Sequence, residues 1–174
     1  MSLQQIIALT QSWNSRLSWD EYFMSIAFLI SSRSTCSRLN VGCVLVKNTR
    51  IISVGYNGFL PSHPHIGCVR GGHEKATVHA EQNSITDCAK RGVSTENAFA
   101  YITHYPCIDC CKILCASGIS KIFYYHNYKN DHLVKTLLKL SKITIIQLKN
   151  VNKIDVYGSE NNNIAKGNDG NDRQ

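Results

Sequence analysis

Apolar positions along this chain recur with two different periods, and the alternation between them sets out the elements. Tyr22, Phe23, Ile26, Ala27 and Ile30 recur at helical spacing. Ser18 stands where it can cap the amide of Glu21 while Glu21 reaches back, and Leu17 can pack on Tyr22, so a helix starts at Ser18 and ends in the polar run Ser31 to Ser34. Val41 to Val46 and Ile51 to Tyr56 are rich in β-branched residues and flank the polar turn Lys47-Asn48-Thr49-Arg50, which predicts an antiparallel hairpin. Residues 59–77 form a long Pro/Gly/His-rich stretch of little periodicity; loops of that length in compact domains are often functional. A helix follows from His79 to Arg91, stopped by Gly92.

The remaining chain alternates: strand at 98–104, helix at 107–117 opened by Pro106 and closed by Gly118, strand at 122–125, amphipathic helix at 131–140, strand at 143–148. The order α-β-β-α-β-α-β-α-β predicts an α/β fold with a mixed sheet of about five strands and helices on both faces. Two helix starts, at His79 and Cys107, follow an irregular loop and a strand end, and ligands of such sheets gather at that edge. From Gly158 onward the Asn/Gly/Asp composition buries no apolar area, so we expect one domain over residues 1–157 and a disordered polar tail over 158–174.

Composition narrows the picture. A chain of 174 residues with 43% hydrophobic content holds one medium domain with a proper core. The segment after Met1 lacks the basic and long apolar regions of a signal peptide, and Phe23 to Ile30 is too short to span a bilayer. We therefore expect a cytoplasmic protein without membrane contact, where thiols stay reduced. The formal charge is +7, and seven lysines fall in residues 121–153 against Asp131 alone. These lysines are too helix-periodic, and not dense enough, for a basic nucleic-acid arm; they read as a solvated helix and strand surface or as a surface for an anionic partner. Eight cysteines and seven histidines are the unusual entries in the composition, and they leave two readings, buried thiols or metal ligands.

Pro106-Cys107-Ile108-Asp109-Cys110 places two thiols at i and i+3 on a helix start, where they share a face and where the helix terminus favours thiolates. Alone, this pair could be metal ligands, a redox couple or two small buried hydrophobes. His79-Ala80-Glu81 changes that balance. One histidine and two cysteines make three protein ligands and leave a fourth tetrahedral position for water, as catalytic zinc requires. Glu81 then remains as a carboxylate free to move protons.

The pattern His-x-Glu…Pro-Cys-x-x-Cys resembles the signature of the zinc nucleobase deaminases. Across about residues 18–150 the chain resembles, more narrowly, the deoxycytidylate (dCMP) deaminases. The stretches that carry this are Ser18 to Met24, Arg33 to Arg38, Val41-Gly42, Gly55-Tyr56-Asn57-Gly58, His79 to Ile85 and Thr103 to Cys110. The resemblance implies the three-layer α/β/α cytidine-deaminase-like fold. It also implies hydrolysis of dCMP to dUMP and ammonia, by attack of zinc-bound hydroxide on cytosine C4 with Glu81 as proton shuttle, supplying dUMP for thymidylate synthesis. On the same ground Arg38 belongs near the 5′-phosphate, Asn57 near the sugar, and Ala80 and Tyr128 at the nucleotide. Tyr105 reads either as a wall of the base pocket or as core.

Many members of the family are hexamers activated by dCTP and inhibited by dTTP, so the resemblance implies a homo-oligomer, these effectors, and Mg2+ accompanying a nucleotide effector. Some relatives hold a second, structural zinc; here Cys36, Cys68 and His73 are its candidates, with no evident fourth ligand. Cys43, Cys88, Cys111 and Cys115 read as buried thiols. The rival functions are another zinc deaminase, acting on cytosine, guanine or tRNA adenosine, and a zinc-binding module without catalysis.

Overall fold

The computed structural model of the protein describes residues 2–71 and 73–148. The expected domain end at 157 and the expected disordered tail over 158–174 lie outside them. A five-stranded sheet runs in the order β2-β1-β5-β6-β7, with β1 at Gly42–Lys47, β2 at Arg50–Tyr56, β5 at Phe99–His104, β6 at Lys121–His126 and β7 at Thr144–Gln147. β1 is antiparallel to both of its neighbours, whereas β5, β6 and β7 are parallel. The mixed sheet thus follows from one hairpin and successive crossover helices.

The period of two along each strand sorts the core into two layers. Cys43, Leu45, Ala100, Ile102 and Ile122 face the side covered by α3 (Ala80–Arg91), α4 (Ile108–Ala116) and α5 (His132–Leu140). Val44, Val46, Tyr101 and Phe123 face α2 (Trp19–Ser31), which contributes Phe23, Met24 and Ala27. The capping box expected at Ser18 and Glu21 is present, with the Glu21 carboxylate accepting from the Ser18 N–H at 2.8 Å. The hairpin turn closes through Asn48 and Thr49 at φ of 51° and 57°, the left-handed pair that matches the twist of two-residue loops.

Three elements depart from the expectation. A first helix, α1 (Leu3–Gln11), precedes α2; its signal was a second capping box, Ser2 with Gln5, which the apolar periodicity alone did not single out. The long stretch after β2 contains a minimal ribbon of β3 (Val69–Arg70) and β4 (His73–Glu74). Glu74 organises it: its Oε1 accepts the N–H groups of Cys68 at 2.7 Å and Ala76 at 2.9 Å. The final strand is also two residues shorter than the six apolar-rich positions suggested.

Two glycines let helices sit directly on strands. A Cβ at Gly42 would collide with the Ala27 carbonyl oxygen of α2, and one at Gly55 with the Ala80 carbonyl oxygen in the first turn of α3. The second of these seats the N-terminus of α3 at the edge of the sheet where β5 ends and α4 begins. Among the described residues no helix is long and apolar enough to cross a membrane.

Candidate active site

His79 and Cys107 are both N-cap residues, of α3 and α4, with extended backbone at φ −71° and −70°. A residue in that half-in position directs its side chain away from the helix axis, which explains how His79 and Glu81, two apart in sequence, both reach one cavity. The Gln82 side chain accepts the His79 N–H at 3.1 Å and fixes the turn. His79 Nδ1 lies 3.5 Å from Cys107 Sγ and 3.3 Å from Cys110 Sγ. The three ligand atoms lie within 4.8 Å of one another, the donor set and spacing that suit one tetrahedral zinc with an open position.

The electrostatics of the set agree. The Cys107 thiol is pulled down to about 4 by the Cys110 thiol that donates to it and by His79. Cys110, deeply buried, is pushed up by its hydrogen bond to Cys107 and by desolvation. The opposite shifts arise because the two thiols share a hydrogen bond, and a bound cation would displace its proton. His79 is raised, first by its hydrogen bond to Cys107. Glu81 is 4% exposed, and burial raises its carboxyl above the ordinary range.

His79, Glu81 and Cys107 line a cavity of about 280 Å³, and the fully buried Cys110 lies behind that wall. Ala80 forms part of its wall, and as the first residue of α3 its N–H has no helical partner. Arg38, Asn57 and Tyr128, expected from the resemblance, line the same cavity from three separate segments. Tyr105 fills both roles left open for it, since it belongs to the core and also lines the cavity. Cys36 lines the cavity as well, but neither it nor Cys68 joins a group of three or more metal-ligating side chains among the described residues; the side chain of His73 lies outside them. Cys43, Cys88 and Cys111 are buried thiols as expected, and Cys115 is half-buried.

Sequence reasoning missed His104, Glu74 and Lys129, which also line the cavity. The signal for His104 was its place at the end of β5, the edge where ligands gather. No local signal marked Glu74 or Lys129.

Residues 17–126 match the family model described as the cytidine and deoxycytidylate deaminase zinc-binding region. The chain belongs to this zinc-dependent deaminase family. Among its relatives in that family, the ComE operon protein 2 of Bacillus subtilis is 41% identical, over 76% of this chain and 72% of that protein. The deoxycytidylate deaminase of enterobacteria phage T4 is 33% identical, over 76% of this chain and 92% of that one. The crystal structure of the dCMP deaminase of cyanophage S-TIM5 in complex with dCMP and dUMP superposes with a TM-score of 0.69 at 28% identity, covering 78% of this chain and all of that one. The expected cytidine-deaminase-like α/β fold is therefore the observed one, and the deaminase family supports Zn2+ as the metal of the His79/Cys107/Cys110 set.

Proposed function

We infer that this protein hydrolyses dCMP, with water, to dUMP and ammonia. The observation that carries the reading is the convergence at one cavity of a three-residue candidate metal set, a buried carboxyl at Glu81 and the lining side chains of Arg38 and Tyr128. The relatives named deoxycytidylate deaminase give the substrate its identity.

His79, Cys107 and Cys110 would hold the zinc, which when bound lowers the pKa of water to about 7 and so supplies hydroxide at neutral pH. Glu81 would take a proton from the attacking water as its oxygen bonds to C4, deliver it to N3 of the cytosine ring, and then pass a proton to the C4 amino group as it leaves as ammonia. Its raised affinity for a proton suits both halves of that transfer. The free Ala80 N–H offers a donor to the base carbonyl, and Arg38 offers a planar fork to the phosphate. Asn57 holds the cavity wall on the sugar side.

The same reading extends to assembly and location. Leu3, Leu9, Trp13, Trp19 and Leu29 are exposed apolar side chains in the first two helices and the segment between them, which supports self-association through that region. All eight cysteines are free thiols, which suits a reducing compartment such as the cytoplasm. The experiment is direct: zinc-loaded protein is given dCMP, deoxycytidine and guanine, and ammonia is followed. Release from dCMP is expected, and inactivity on dCMP overturns the reading. Adding dCTP or dTTP with Mg2+ to the same assay reports any effector response.

A further inference from the structure

His104 stands at the end of β5 on the wall of the cavity, and its neighbours fix which nitrogen carries the proton. Thr103 is fully buried, and its Oγ1 accepts the Gly42 N–H at 3.1 Å. The hydroxyl has one hydrogen to place. Among the described residues the only acceptor within reach is His104 Nδ1, at 2.9 Å. Were Nδ1 protonated instead, the buried hydroxyl hydrogen would be left without a partner, which costs about 1–3 kcal/mol. Thr103 therefore donates to Nδ1, and the ring proton sits on Nε2. The ring is also neutral: burial first, and the neighbouring His126 second, lower its pKa to about 4.

Nε2–H has no hydrogen-bond partner among the described residues and is not sealed from solvent. The imidazole meets the ring of Tyr128 edge-on, with centroids 6.1 Å apart, and Lys129 Nζ lies 5.6 Å over that same Tyr128 ring. His104, Tyr128 and Lys129 thus make one continuous wall of the cavity that His79 and Cys107 also line, and Lys129 and Arg38 on its rim are exposed cations. The acceptor that such a wall suits is an anionic oxygen.

We propose that His104 is a specificity residue: its Nε2–H, oriented by Thr103, donates to a phosphate oxygen of the bound nucleotide and helps the site prefer the monophosphate over the nucleoside. The proposal rests on the dCMP reading and adds a role that neither Arg38 nor Tyr128 performs, that of a neutral donor locked by a buried hydroxyl.

Two measurements test it. In the first, zinc-loaded wild type, His104→Leu and His104→Gln are compared on dCMP and deoxycytidine. His104→Leu is expected to lose about tenfold in kcat/KM on dCMP, through KM, and nothing on deoxycytidine. His104→Gln, which keeps one acceptor and one donor, is expected to recover most of the loss. Equal losses on both substrates, or no loss on dCMP, overturn the proposal. In the second, 15N NMR of the histidine rings reads the tautomer directly and follows dUMP against deoxyuridine. The His104 ring is expected as the Nε2–H form and to shift with dUMP alone; an Nδ1–H ring, or the same response to both ligands, overturns it. This arm needs no turnover. Wild type inactive on dCMP, with His104 still answering dUMP alone, would therefore fail the dCMP reading and leave the phosphate contact standing.

Discussion

Asn57 and Val41 are joined by a side-chain clamp: Asn57 Oδ1 accepts the Val41 N–H at 2.8 Å, while its Nδ2 donates to the Leu39 carbonyl at 2.7 Å. One amide thus pins residues 39–41, which form a wall of the cavity between Arg38 and β1. Asn57→Ala leaves both backbone groups without their partner and should destabilise the fold by about 1–3 kcal/mol, with a higher KM for dCMP. Asn57→Asp keeps the acceptor but sets a carboxylate oxygen against the Leu39 carbonyl, so its KM should rise further. Thermal melts and steady-state kinetics check both; an unchanged melting temperature in Asn57→Ala would show that the clamp contributes nothing.

Among the described residues, Glu81 is the one buried carboxyl lining the cavity. Glu81→Gln preserves its volume and removes the proton transfer. Turnover should fall by at least about two orders of magnitude, the scale of general acid–base catalysis, with zinc content unchanged. Full turnover in this variant would assign the proton shuttle elsewhere.

Cys110 is the most deeply buried of the three ligand candidates. Cys110→Ser should lower the zinc content by one equivalent per chain relative to wild type and abolish activity. Cys115→Ser, five residues further along α4 and outside the ligand set, should keep both. Metal analysis of the two purified variants separates a ligand from a packing thiol.

Gly55 lies in β2 directly beneath the first turn of α3. Gly55→Ala forces its methyl group into the Ala80 backbone, so α3 must lift and carry His79 and Glu81 with it. Overpacking of this kind costs about 1–3 kcal/mol. Activity should drop together with stability, whereas Gly92→Ala at the other end of the helix, at φ 65° with open space around it, should lower stability and leave kcat intact. Equal kcat in Gly55→Ala and wild type would argue against this seating of the helix.

His104 also predicts a pH dependence. Its pKa is about 4 in the fold, against 6.5 for an ordinary histidine. Between these values the unfolded chain binds a proton that the folded chain does not, so stability falls as pH drops from about 6.5 toward 4 and levels off below. Denaturant titrations of wild type and His104→Gln over that range should differ in slope, the variant being flatter. Parallel curves would place the loss of acid stability on other groups.

Much of the site was readable before any coordinates because its chemistry is local. Pro106, Cys107 and Cys110 occupy one helix start, and His79 to Glu81 another, so ligand type, ligand count and the spare carboxyl stand in two short runs of sequence. The strand and helix order was equally legible, since β1, β5 and β6 alternate cleanly between the two core layers. Less was visible where the period is weak. α1 has no buried residue to betray it, and the β3–β4 ribbon is two residues long on each side, held by Glu74 more than by its own ladder.

By itself, then, the sequence determined the order of the main strands and helices, the three candidate metal ligands and the candidate carboxyl beside them, because each depends on residue type and spacing along a few consecutive positions. Only the tertiary structure decided what surrounds them. It showed that Asn57 spends its amide on Val41 and Leu39, that Glu74 folds back onto Cys68 and Ala76, and that the buried Thr103 hydroxyl stands 2.9 Å from His104 Nδ1. Those assignments depend on which donor meets which acceptor across a sequence separation of 61 for Gly42 and Thr103 or 16 for Val41 and Asn57. Packing of the sheet and helices fixes such meetings, and no local pattern along the chain encodes them.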